Sequence, residues 1–518
     1  MRGKRTNKQG EILIMNRVLI VAAVTAVSLS AMARTFELAA WKGETVAAVV
    51  PDFVEFGELP EGIDIKFGIL RPVKYAPAPR SIQRLECMDR VEWEQKPSWF
   101  AKCFGWMGFS SDVNVKEGTQ RVVEVKVSAD AKPGIYKCGA MDVRVIDRVL
   151  PPAKDWKFFL DLWQHPWAVS RYFDVKPFSS AHYAAMRPVY ETLASAGQKT
   201  LTVTLLPEAW DHQCRDAYGT MIGRVKKSDG TWEFDYSIFD EYVEFGRSCG
   251  LGPDIACYTM CPWGYVVRWN DESGKQHSVV AKPGTPEFKD YWGAFLVDFA
   301  KHLKEKGWFK DTFIAMDERS IADVKEIGSF IRGLVPDMKV AMAGNHLPSE
   351  YGTVIDNFCM ILGKKIDAAY LKEAAERRAK GMTTTYYVCC APRYPNTFMS
   401  SGPGEAFWLG AYPAMCGLDG FLRWAWNSWP QDPVQDATYW AWLAGDTYLV
   451  YPDGSPSLRF LELRNGIIAA EKVRLLKEKG LYKAEFEKLA SRFDPVEASQ
   501  GKSDYVKLRT DTLKIVNK

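Results

Sequence analysis

Thr312-Phe313-Ile314-Ala315-Met316-Asp317-Glu318 is an apolar run that ends on two adjacent carboxylates. The run reads as a buried strand, and two carboxylates at its end are costly to bury unless they are used. It is the fourth of eight similar runs: Phe158–Trp163, Thr200–Leu206, Asp254–Cys261, Thr312–Glu318, Lys339–Gly344, Asp356–Leu362, Thr383–Cys390 and Gly420–Asn427. Helical patterns lie between them at His182–Ala196, Ser237–Cys249, Pro286–Lys306, Ile321–Leu334, Asp367–Lys380 and Gly404–Met415. Strands alternating with helices predict parallel βα units. The set spans about 270 residues, near the ~250 of a (β/α)8 TIM-like barrel. An open doubly wound sheet needs a glycine-rich phosphate turn after its first strand. Trp163-Gln164-His165-Pro166-Trp167 stands there instead. The reading is therefore a barrel, with its chemistry at the C-terminal strand ends.

Outward from the barrel the period changes. Residues 34 to about 150 alternate apolar and polar positions between turns, as in Val122-Val123-Glu124-Val125-Lys126-Val127 before Lys132-Pro133-Gly134. This predicts an N-terminal antiparallel β-sandwich. Leu150-Pro151-Pro152-Ala153 is a stiff linker. Beyond the eighth strand, Arg464–Lys479 and Tyr482–Arg492 read as charged amphipathic helices packed on the barrel exterior. The expected division is a leader at 1–33, the β-sandwich at 34–152, the barrel at 153–465 and a short helical C-terminal region at 466–518. The leader follows from Arg17 before the apolar Val18–Val24, with Ala31-Met32-Ala33 as an A-x-A-like cleavage site and Met15 as an alternative start. The apolar run is too short for a membrane span. No cysteine follows it closely enough for a lipid anchor, so export to the periplasm or the medium is expected.

The 518 residues call for two or three domains. The formal net charge is +3, from 67 basic and 64 acidic residues, which leaves no electrostatic footprint for nucleic acid or an anionic membrane. Aromatic content is high at 13%, with 19 Trp and 22 Tyr. Aromatics fill cores, and they also stack on flat apolar faces such as sugar rings. The eleven cysteines are odd in number and several lie in strand-like runs, as buried small apolar residues do. Cys257 and Cys261 are four apart with no second pair, and the six His are scattered. No metal motif or cofactor motif emerges.

The strand ends present Asp161, Trp163 and His165; Glu208, Trp210 and Asp211; Tyr258, Trp263 and Tyr265; Asp317 and Glu318; Asn345 and His346; Tyr386 and Tyr387; and Trp424, Trp426, Asn427 and Trp429. Arg319 and Arg423 lie near them. Aromatic walls around a carboxylate pair are what glycoside hydrolysis requires. The candidate catalytic residues are Asp317 and Glu318. The candidate substrate-binding residues are His165, Trp163, Tyr258, Asn345, Tyr387, Trp424, Asn427 and Trp429, although core packing is an alternative for the tryptophans and turn-shaping for His165. Neighbours on a strand face opposite sides, so Asp317 and Glu318 share the mouth only if the strand curls at its end. They are too close in sequence to flank a glycosidic bond easily as acid and nucleophile. A substrate-assisted route resolves this: the sugar's 2-acetamido oxygen attacks the anomeric carbon, Glu318 protonates the leaving oxygen and Asp317 holds the acetamido N–H. The competing assignment is that Asp317 or Ser320 caps the helix near Ile321.

The Asp317-Glu318 pair after an apolar strand resembles that of glycoside hydrolase family 123. So do Phe421-Leu422-Arg423-Trp424-Ala425-Trp426-Asn427-Ser428-Trp429, Asp446-Thr447-Tyr448-Leu449-Val450-Tyr451-Pro452 and Ser457-Leu458-Arg459-Phe460-Leu461-Glu462-Leu463-Arg464-Asn465-Gly466. The likeness runs from 34 to about 495. It implies exo-acting β-N-acetylgalactosaminidase activity on a β-sandwich and a barrel, with the family's catalytic pair at Asp317 and Glu318. A glycan or glycolipid with a terminal N-acetylhexosamine is the implied partner. Two other outcomes stay open at this point: a two-carboxylate barrel glycosidase for a different sugar, and a non-catalytic glycan-binding relative.

Overall fold

The computed structural model describes residues 36–50, 59–94, 120–139, 141–363 and 366–518. The expected export leader lies outside them. Two compact units are distinguished, residues 1–66 with 96–149 and residues 67–95 with 150–518.

Among the described residues seven strands precede the barrel: β1 (Phe36–Lys42), β2 (Thr45–Val50), β3 (Ile63–Tyr75), β4 (Leu85–Trp93), β5 (Arg121–Val127), β6 (Gly134–Cys138) and β7 (Met141–Val149). In the first unit β7 pairs antiparallel with β6, β2 pairs antiparallel with β5, and β1 joins β7 in parallel. Alternation decides which side is covered, and Val123, Val125 and Val127 are all fully buried. The N-terminal region is thus built of sheets that are mainly antiparallel, as the sequence predicts.

The second unit opens with the hairpin of β3 and β4, paired from Gly68 with Trp93 to Tyr75 with Leu85. The register slips between Arg71 and Pro72, where proline has no N–H to donate to the ladder. The barrel follows. Its eight parallel strands are β8 (Phe159–Leu162), β9 (Thr200–Thr204), β12 (Asp254–Tyr258), β15 (Thr312–Asp317), β16 (Lys339–Gly344), β17 (Asn357–Ile361), β18 (Thr383–Tyr387) and β19 (Gly420–Arg423). The numbers between them belong to an excursion from the rim: β10 (Gly223–Lys226), β11 (Trp232–Asp235), β13 (Val266–Asp271) and β14 (Gln276–Val280) form a separate four-stranded sheet. All eight predicted barrel strands are present; Lys339–Gly344 has the predicted bounds and the other seven are shorter at one or both ends.

The barrel order runs β8-β19-β18-β17-β16-β15-β12-β9, leaving one seam between β8 and β9. That seam is closed by a single parallel bridge, Leu160 to Gln198, and then by glutamine side chains. Gln198 Oε1 accepts from Leu162 N at 3.0 Å and its Nε2 donates to Thr200 O at 2.8 Å. Gln164 Oε1 accepts from Thr202 N at 2.9 Å. Backbone groups buried at an open sheet edge need partners, and here side-chain amides supply them.

Helices α1 (Pro166–Phe173), α2 (Ser180–Ala194), α3 (Ser237–Ser248), α4 (Pro286–Glu305), α5 (Ile321–Leu334), α6 (Ala368–Ala379) and α7 (Pro403–Cys416) belong to the barrel's connections. The helical C-terminal region consists of α8 (Leu458–Glu478), α9 (Lys483–Ala490), α10 (Pro495–Ser499) and α11 (Tyr505–Val516). Helix α8 starts earlier than the predicted Arg464, because Ser457 Oγ accepts from Phe460 N at 3.0 Å and caps it. Nor is α8 an exterior amphipathic helix, since its residues from Arg459 to Val473 are all buried. Gly410 and Gly466 let α7 and α8 approach closely: a Cβ on Gly466 would stand 2.0 Å from Phe407 O. Among the described residues no helix is long and apolar enough to cross a membrane.

Candidate active site

Register decides what the barrel mouth holds. Phe313 and Ala315 point into the barrel with Ala256, Ala341 and Ala343, and alternation puts Asp317 on the same face. The ladder with β16 ends where Asp317 pairs with Ala343. Glu318 then takes a left-handed backbone conformation, φ 48°, and its N–H donates to Ala343 O at 2.8 Å. This single turn breaks the alternation, so the Glu318 carboxylate also reaches the mouth and accepts a hydrogen bond from Tyr387 Oη at 2.6 Å. Tyr387 stands at the end of β18, three strands away in the sheet. The helix cap falls to Ser320, whose Oγ accepts from Asp323 N at 3.1 Å. The main-chain oxygen of Asp317 accepts from Arg319 Nε at 3.1 Å and from Trp263 Nε1 at 3.3 Å. The peptide is thereby anchored without using the carboxylate.

The pair is electrostatically loaded. Burial pushes the Asp317 carboxyl up to about 8, and the neighbouring charge of Glu318 adds to the rise, while Arg319 and Trp210 oppose it. Asp161 on β8 is also raised, to about 6, by burial. Among the described residues no group of three His, Cys, Asp or Glu is arranged to hold a metal ion.

Around the pair stands an aromatic wall. Trp163 stacks on Trp210 with ring centroids 5.1 Å apart, and Tyr258 lies 4.5 Å from Trp163 and 5.0 Å from Trp210. Trp424 packs against the same cluster and remains partly exposed. Its Nε1 donates to Asp446 Oδ1 at 3.1 Å, and Trp442 meets it edge-on at 5.7 Å. Asn345 follows β16 and is exposed. Of the residues singled out from the sequence, Asp317, Glu318, Trp163, Tyr258, Tyr387 and Trp424 therefore meet at the mouth.

His165, Asn427 and Trp429 do not share that surface, and all three are fully buried. Asn427 Oδ1 accepts from His165 N at 2.8 Å and its Nδ2 donates to His165 O at 3.1 Å, so the amide splints the chain after β8. His165 stacks on Tyr218 at 3.7 Å, and burial lowers its pKa to about 4, which keeps the ring neutral. Trp429 Nε1 donates to Val450 O at 2.7 Å. Trp426 packs on Phe460 in the core rather than sharing a face with Trp424, because β19 ends at Arg423 and the strand period lapses. Arg423 is buried against Asp446, not open to the mouth. Tyr218 and Trp442 join the wall without a signal in the sequence, since both come from irregular loops.

A barrel whose strand ends carry a carboxylate pair inside an aromatic mouth belongs, by fold and site, to the class of barrel glycosidases. The family model "Glycoside hydrolase 123, catalytic domain" matches residues 163–476, and the chain belongs to that family. A solved family 123 glycoside hydrolase from Clostridium perfringens, studied for glycolipid glycan hydrolysis, is similar over 93% of each chain, with 23% identity and a TM-score of 0.78. A noncanonic maltogenic α-amylase, AmyB from Thermotoga neapolitana, is matched over 62% of this chain and 77% of its own, with 10% identity and a TM-score of 0.35. No curated protein sequence matches the chain significantly.

Proposed function

We propose that this glycosidase is exo-acting and retaining, and that it releases terminal β-linked N-acetylgalactosamine from a glycan or glycolipid by substrate-assisted catalysis through an oxazoline. The observation that carries the reading is the turn at Glu318, which aims two adjacent carboxylates into one mouth. Two other carboxylates nearby are engaged, Asp446 with Arg423 and Trp424, and Glu208 with His212. Adjacent carboxylates suit different tasks on the same side of a sugar. Glu318 donates the proton to the leaving oxygen. Asp317 accepts the acetamido N–H and balances the charge that grows on the oxazolinium. An acetamido N–H bonded to Asp317 favours the carboxylate form there, against the burial that pushes its pKa up to about 8. The glycolipid link rests on the solved relative's substrate class.

The test is a panel of aryl glycosides with a thiazoline mimic of the oxazoline. Hydrolysis of the N-acetylgalactosaminide with retained anomeric configuration, blocked by the thiazoline, is the expected result. Turnover of a sugar lacking the acetamido group, unaffected by the thiazoline, would overturn the mechanism in favour of a two-carboxylate glycosidase.

A further inference from the structure

Two residues past Tyr387, on the rim of the same mouth, stand the adjacent thiols Cys389 and Cys390, with their sulfurs 3.8 Å apart. Neither enters the chemistry proposed above. Cys389 packs against the aromatic cluster of the mouth, and its Sγ also lies 3.6 Å from Ala391 O. Cys390 is exposed, unlike most of the other free cysteines, which are buried. The two thiols are therefore unequal: one is accessible, the other is held beside it. Hydrogen bonding between the two sulfurs lowers the Cys390 pKa and raises that of Cys389, while burial and the charges of Asp446 and Glu318 oppose Cys390 ionisation. An accessible thiol with thiolate character next to a resolving cysteine is the arrangement that oxidises to a disulfide.

We propose that Cys389 and Cys390 are a redox modification site, closing to a vicinal disulfide with a low-molecular-weight disulfide as oxidant and altering the mouth when they do. The Cys390 thiolate attacks the oxidant's sulfur and expels one thiolate, leaving a mixed disulfide on Cys390. The Cys389 thiolate then attacks the Cys390 sulfur and expels the second. Two thiols become one disulfide, the oxidant becomes two thiols, and the two protons go to the departing thiolates.

Adjacent Cα atoms lie only about 3.8 Å apart, below the separation a relaxed disulfide spans, so the ring is strained and readily reduced. The strain falls on a tied segment. Asn396 Nδ2 donates to Cys389 O at 3.0 Å, and Asn396 Oδ1 accepts from Arg423 Nη1 at 2.8 Å. Arg423 in turn holds Asp446, the partner of Trp424. On its other side the dithiol is two residues from the Tyr387 hydroxyl that orients Glu318. Ring closure therefore displaces the groups around the general acid. This effect on turnover rests on the function proposed above, whereas the oxidation does not.

The full-length protein is equilibrated with oxidised and reduced glutathione at several ratios, alkylated, digested and analysed by mass spectrometry. The expected result is that the peptide carrying Cys389 and Cys390 escapes alkylation, is lighter by two hydrogens and carries no glutathione. Phenylarsine oxide, which bridges paired thiols, is expected to bind the wild type reversibly to a dithiol and not to bind Cys390→Ser at this peptide. A persistent glutathione adduct, or a bridge to a different cysteine, overturns the site. Hydrolysis of an aryl N-acetylgalactosaminide is followed in parallel. Oxidation is expected to lower it by up to about 10²-fold, the scale on which a 1 Å misplacement of a reacting group acts, and dithiothreitol to restore it. Cys390→Ser, folded by circular dichroism, is expected to keep its activity under oxidation. Equal activity in both redox states of the wild type overturns the coupling. If no N-acetylgalactosaminide is hydrolysed at all, the function proposed above fails, and the mass spectra still decide the modification.

Discussion

One backbone dihedral does most of the work of building this site. A left-handed conformation at a residue with a side chain costs roughly 1–2 kcal/mol, and Glu318 adopts it at φ 48° where strand pairing ends. In return, a pair that strict alternation would separate shares the mouth. Glu318→Gln keeps the shape and removes the acid. Turnover is expected to fall by about 10²–10⁴-fold on poor leaving groups and by much less on an activated aryl glycoside. Steady-state rates on the two substrates check this, and equal losses would argue against the acid role. Asp317→Asn is expected to cost on the order of 10²–10³ in turnover on both substrates, because it impairs the attack rather than the protonation. The same variant has a stability signature. A carboxyl whose folded pKa is raised to about 8 binds its proton more tightly folded than unfolded, so its contribution is present below about pH 4 and is lost as pH rises towards 8. Asp317→Asn lacks that loss. Its urea midpoint, relative to wild type, is expected to climb between pH 5 and 8, and a pH-independent difference would remove the burial argument.

At the scale of elements, α7 and α8 show what a glycine pair does. The hypothetical Cβ of Gly466 meets a backbone carbonyl, not a movable side chain, so the helices themselves have to separate. Gly466→Ala is expected to destabilise the protein by about 1–3 kcal/mol despite alanine's better helix propensity, as over-packed cores do. Thermal unfolding measures it, and an unchanged Tm would mean the helices already have room. The rim sheet of β10, β11, β13 and β14 is not among the elements read from the sequence. Asp229-Gly230 sits in the β10–β11 turn, a strong short hairpin signal, and Lys227 N bonds Thr231 O at 2.8 Å. The parallel pairing of β10 with β13, residues 225–226 with 270–271, has no such local signal, because it joins segments separated by a whole βα unit.

At the scale of the barrel unit, the β3–β4 hairpin is held by a buried cation. Arg459 donates to Asp89 through Nε at 2.9 Å and Nη2 at 3.0 Å, and Tyr451 Oη adds a third hydrogen bond to that carboxylate at 2.7 Å. Breaking such a pair strands the other charge in the interior, so Asp89→Ala is expected to cost about 3–5 kcal/mol. Chemical denaturation checks the value. Replacing both partners by apolar residues of similar size is expected to recover much of the loss, which separates a stranded charge from lost packing. The contact spans 370 positions of sequence, so no local pattern predicts it.

Periodicity and chemistry by themselves determined the eight barrel strands, the sheet-rich N-terminal region and the Asp317-Glu318 pair, because apolar runs of strand length, their helical spacers and costly buried carboxylates are local properties of the chain. The tertiary structure decided which of the aromatic and polar candidates face the mouth. His165, Asn427 and Trp429 lie beyond the ends of β8 and β19, where the two-residue period no longer assigns a side, and there they splint loops and are buried away from the mouth. Tyr387 reaches Glu318 across three strands, and the β8–β9 seam is closed by Gln198 and Gln164. These are encounters between distant segments. They depend on how the barrel closes, which the spacing of residues along the chain does not encode.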